Sequence, residues 1–99
     1  MRKEYKIKTT DVFKSIESER NYQDARWNPE TTTSEGIHSL EEWIMYIEDY
    51  LSEAKHIISR SARQESDEKV LHIIRKVAGM AVCAMEQHGA PPRPDFEIL

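Results

Sequence analysis

The chain reads as all-α, and three observations carry that reading. Apolar residues recur at helical spacing from Leu40 to Ile58, a second apolar run from Val70 to Met85 covers more than one helical face, and Gly89, Pro91 and Pro92 close that run. The expected architecture is an antiparallel helical hairpin, residues 39–60 and 66–88, with an N-terminal helix over 11–27. A chain of 99 residues is one domain, near the size at which a single helical layer leaves apolar faces uncovered. Assembly into a homodimer or higher homo-oligomer, with a four-helix-bundle-like core built from the hairpins, is therefore expected.

Residues 1–10 form a basic arm whose alternation at Tyr5, Ile7 and Thr9 is compatible with an edge strand or with no regular structure. In the segment 11–27 the apolar residues Val12, Phe13, Ile16 and Ala25 are sparse among charges, as in a helix lying on a core rather than inside it. Residues 28–38 read as a loop, because proline, glycine and a run of threonine and serine favour non-helical backbone. Ser39 followed three residues later by Glu42 is a capping box, in which the hydroxyl accepts from the Glu42 amide and the carboxylate accepts from the Ser39 amide. Leu40, Trp43, Ile44, Ile47, Leu51, Ala54 and Ile58 then form one stripe. Ser61 to Ser66 is a polar connector, with Ser66 placed to cap a helix opening at Asp67 and Glu68, acids suited to the positive end of its dipole. Small residues Ala78, Gly79, Ala81 and Ala84 allow close approach of other elements to that third helix. Gly89 suits the left-handed position after its last turn. The tail, 89–99, is expected to be extended, with Phe96, Ile98 and Leu99 available for docking.

Fourteen basic against 18 acidic residues give a net charge of −4, which speaks against binding duplex nucleic acid. A small phosphorylated ligand needs only a few local cations. No apolar run has membrane-spanning length and no signal-peptide pattern opens the chain. The single cysteine, Cys83, lies inside an apolar run and reads as a buried, inert thiol in a reducing compartment. A cytoplasmic location is expected.

The sequence Glu19-Arg20-Asn-Tyr22-Gln23-Asp24-Ala-Arg26-Trp27, then a loop with His38, then Glu42-Trp43 opening an apolar helix that carries acids, resembles small phage-encoded proteins of the MazG-like, all-α NTP pyrophosphohydrolase superfamily. The resemblance spans Glu19 to Gln87. It implies a nucleotide ligand and, for the hydrolases, magnesium held by a Glu-Glu-x-x-Glu motif on one helix and a Glu-x-x-Asp motif on the next. Carried over residue by residue, the first motif retains Asp49 and Glu53, while the second falls on Ile73 and Lys76, neither an acid. If the chain is an enzyme, Asp49 and Glu53 are its metal ligands and magnesium its cofactor. Two acids make a weak magnesium site without substrate phosphates to complete it. If it only binds, no cofactor is needed.

An ammonium at Lys76 can pair with Asp49 or Glu53, or attract phosphate directly. Tyr22, Gln23, Arg26 and Trp27 offer stacking planes and an amide for a nucleobase. His38 and Arg75 complete the nucleotide-binding set. Glu53-x-x-His56 places two metal-ligand types on one helical face, without the further acids a di-metal site needs. Three readings follow: a phage-type protein that binds a nucleotide and sequesters a signal of host antiviral defence, a magnesium-dependent nucleoside triphosphate pyrophosphohydrolase, and a structural or protein-binding helical module.

Overall fold

The computed structural model of the chain describes residues 4–27, 37–60 and 63–94. It has three helices, α1 (Thr9–Arg26), α2 (Leu40–Arg60) and α3 (Arg63–His88), and no strand among the described residues. Both α1 and α2 pack on α3 rather than on each other. Pairings along the helices set their directions. His38 at the start of α2 meets His88 at the end of α3, so these two run antiparallel. Asp11 shares a groove with Glu68 while Arg20 reaches Glu86, so α1 runs alongside α3 in the same sense.

The start of α2 follows the expected capping box. The Ser39 amide donates to Glu42 Oε1 at 2.9 Å and the Glu42 amide donates to Ser39 Oγ at 3.1 Å. The end of α3 also agrees, since Gly89 has φ +129° and its amide donates to the Met85 carbonyl at 2.8 Å. Two boundaries differ. α1 begins at Thr9, two residues early, with Lys8 as N-cap and no side-chain cap. α3 begins at Arg63, so Ser66 is a buried residue within the helix and not its cap. Arg63, Gln64 and Glu65 are good helix formers, and the helix extends through them. The loop expected over 28–38 is described only at Ile37 and His38. Docking by Phe96, Ile98 and Leu99 lies outside the described residues.

The core is small. Trp43, Met80 and Cys83 form its centre, with Trp27, Tyr46, Ile47, Tyr50 and Ala84 packed against them, and Ala54 and Ile73 are buried beyond. Trp43 is 1 % exposed, and its indole Nε1 donates to Gln87 Oε1 at 2.9 Å, so the ring is buried without an unpaired donor. Of the α2 stripe only Trp43 and Ala54 are buried, while Leu40, Ile44, Leu51 and Ile58 are exposed. On α3, Leu71, Ile74 and Met85 are exposed as well. No described helix is long and apolar enough to cross a membrane.

The polar docking of α1 is what positions the site. Its buried residues are Glu19 and Gln23, not its apolar ones, and Phe13 remains 63 % exposed. Glu19 accepts from Arg75 Nε at 2.9 Å, and Gln23 Nε2 donates to the Lys76 carbonyl at 3.2 Å. Arg20 anchors the other side, donating to Glu86 at 2.6 and 2.9 Å and to Asp24 at 2.8 Å. Gly79 makes this approach possible, because a Cβ there would meet Gln23 Nε2 at 2.8 Å and Glu19 Cγ at 2.9 Å.

Candidate functional site

Residues 19, 23 and 26 share one face of α1 at the i, i+4, i+7 spacing of a helix. Where that face meets α3 and the middle of α2, Glu19, Tyr22, Gln23, Arg26, Trp27, Tyr50, Lys76 and Met80 line a pocket of about 180 Å3. An adjoining recess of about 370 Å3 is lined by Ser18, Glu19, Tyr22, Arg75 and Lys76. Glu19, Tyr22 and Lys76 belong to both, so the two form one trough along the α1–α3 seam.

Lys76 sits in the middle of that trough. Its ammonium lies 5.4 Å from the centre of the Tyr50 ring, a cation–π contact. Among the described residues no carboxylate forms an ion pair with it. Arg75 is different, because its Nε donates to Glu19 and its Nη1 lies 2.6 Å from His72 Nδ1. Arg75 therefore holds α1 on α3, and Lys76 is the cation in the middle of the trough. At the far end Arg26 lies over the Tyr22 ring at 5.9 Å. The Gln23 amide is occupied by Glu19 and the Lys76 carbonyl, which makes it a positioning group for the trough wall.

Five of the seven nucleotide-binding candidates, Tyr22, Gln23, Arg26, Trp27 and Lys76, thus line one pocket, and Arg75 lines the recess beside it. His38 lies elsewhere. Its ring stands edge-on to Trp43 and Tyr46, its Nδ1 is 3.6 Å from Glu42, its amide donates to Gln87, and its carbonyl is 2.7 Å from His88 Nε2. These contacts pin the start of α2 to the end of α3. Four further residues, Ser18, Glu19, Tyr50 and Met80, line the trough without being among the sequence candidates. Glu19 was visible as the i−4 neighbour of Gln23, and Tyr50 as the i+7 neighbour of the core residue Trp43.

Asp49 and Glu53 are exposed and line a separate recess of about 570 Å3 with Ser52, His56, Ile57 and Arg60. Lys76 is not part of it. Among the described residues no three His, Cys, Asp or Glu side chains are grouped to hold a metal. Two acids on one exposed helical face, with Tyr50, Ile73 and Lys76 at the other three motif positions and Lys76 in a different pocket, do not fit the five-acid magnesium site that the two motifs describe. Cys83 is buried, with its Sγ 3.6 Å from Gln87 Nε2, and burial pushes its thiol above the ordinary range. It faces the core and not the trough. No protein-family model, no curated protein and no solved structure matches this chain.

Proposed function

We propose that this chain is a nucleotide-binding protein of phage type, related to the MazG-like fold, that holds its ligand in the α1–α3 trough without hydrolysing it. The observation that supports this reading is the joint lining of one pocket by Lys76, Tyr22, Tyr50, Arg26 and Trp27. A cation with no ion-paired carboxylate among the described residues, set among aromatic rings, matches a ligand that carries phosphate beside a flat base. Together the two recesses have the scale of small-molecule sites, roughly 300–1,000 Å3. The resemblance through Glu19 to Trp27 points to the same ligand class.

Binding without turnover suits a protein that sequesters a nucleotide signal of host antiviral defence in the host cytoplasm. No cofactor is needed for that role. The exposed apolar residues of α2 and α3 support the accompanying proposal that the working form is a homo-oligomer with a helical core shared between copies.

The test is to incubate the purified protein with a panel of linear and cyclic nucleotides, remove free ligand, and release what is bound by heat. Retention of one nucleotide class, recovered chemically intact, is the expected result. No retained nucleotide of any class would overturn the reading. So would magnesium-dependent release of pyrophosphate that disappears in Asp49→Ala, which would restore the hydrolase.

A further inference from the structure

The apolar stripe on α2 is split between two environments. In heptad terms Leu40, Ile47 and Ala54 alternate with Ile44, Leu51 and Ile58 at spacings of three and four, the seam of a coiled coil. Ile47 and Ala54 turn toward α3, whereas Ile44, Leu51 and Ile58, spaced by seven, are 56 %, 43 % and 59 % exposed. They form a straight row about 21 Å long on a 1.5 Å rise per residue.

Charge decides what covers the row. On its edge away from α3 stand Glu48 and Lys55, both exposed. They lie three residues before and four residues after Leu51. A second copy of α2 laid antiparallel about an axis at Leu51 would bring Ile44 opposite Ile58 of the partner subunit. It would also set Glu48 beside Lys55 of the partner subunit, and the reverse. In a parallel two-fold arrangement each Glu48 would lie on the opposite edge of the seam from its counterpart, as would each Lys55, so neither charge would gain the other as a partner. The row and its flanking charges are therefore self-complementary in one direction only.

We propose that two copies of this chain associate through α2, antiparallel and two-fold symmetric about Leu51, with reciprocal Glu48–Lys55 pairs along the edge of the seam. This interface rests on the oligomer reading above and is independent of the ligand. It is tested by sedimentation of the full chain and its surface variants. Wild type is expected to sediment as an even multiple of the chain, and Glu48→Lys to raise the dimer dissociation constant about tenfold through two lost pairs and two new repulsions. The double variant Glu48→Lys/Lys55→Glu should return to within about twofold of wild type. Under mild oxidation Leu51→Cys should cross-link to itself, while Ile44→Cys should cross-link to Ile58→Cys but not to itself. A monomeric wild-type chain would overturn this interface and the oligomer reading together. An oligomer in which the charge swap fails to recover, or in which Leu51→Cys does not cross-link, would overturn the interface alone.

Discussion

Gln23 lies against the bare backbone of Gly79, so closely that a Cβ on Gly79 would stand 2.8 Å from its Nε2. That contact lets a polar helix dock on an apolar one. The Gln23 amide reaches the Lys76 carbonyl, and Glu19 beside it takes Arg75. The trough exists because α1 comes this near.

Gly79→Ala is expected to destabilise the protein. Alanine favours a helix over glycine by about 1 kcal/mol, while overpacking a close contact costs typically about 1–3 kcal/mol. Glu19 Cγ, near the root of its side chain, cannot yield as the Gln23 amide can, so the clash is expected to outweigh the gain. A lower urea midpoint with earlier proteolysis within α1 would confirm it; a stabilised variant would place α1 farther from α3.

Glu19→Ala should cost about 1–3 kcal/mol, the range for removing one partner of a buried hydrogen-bonded group. Arg75 would keep His72 and its access to water, which holds the figure below that of a fully buried pair. Glu19→Gln should recover part of the loss by accepting from Arg75. Chemical denaturation of the three proteins checks the order, and equal stabilities would show that Glu19 does not anchor α1.

Glu42 gives the α2 start a pH dependence. Its carboxyl is held below the ordinary value of 4.5, first by the Ser39 backbone amide, then by the Ser39 hydroxyl and by His38. A carboxyl lowered on folding stabilises the fold above its unfolded value, and that contribution is lost as pH falls through the lower folded value. The difference in unfolding midpoint between wild type and Glu42→Gln should therefore be constant above about pH 5 and shrink below it. A gap that stays constant down to acid pH would contradict the capping role.

Cys83 should resist thiol reagents in the folded protein. Burial raises its thiol, so at pH 8 its modification is expected to be roughly a hundredfold slower than in denaturant, following local opening. Its raised folded value also means that stability declines as pH rises past the ordinary 9.0. Fast labelling of the native chain would place the residue nearer the surface.

Much of the hairpin was legible in the sequence, because caps and stops act locally. Ser39 and Glu42 exchange the two hydrogen bonds their spacing implies, and Gly89 takes the positive φ expected after a helix. The start of α3 was misread because Ser66 looks like a cap, although Arg63, Gln64 and Glu65 before it support another turn. The docking of α1 was hidden from an apolar periodicity, since Glu19 and Gln23 carry it and only the structure supplies Arg75 and Gly79 as their counterparts. In the trough, the cluster from Tyr22 to Trp27 was visible as neighbours in sequence. Its meeting with Lys76 and Tyr50 depends on tertiary packing that no local rule encodes.

Lys76 carries the functional account, so its charge is the direct test. The nucleotide retained in the panel would be titrated calorimetrically into wild type and Lys76→Glu. At this half-buried position with no ion pair among the described residues, the thermal midpoint should shift by no more than about 3 °C. Affinity should fall at least about tenfold, the equivalent of ~1.4 kcal/mol. Equal affinity in an equally folded Lys76→Glu protein would contradict the account.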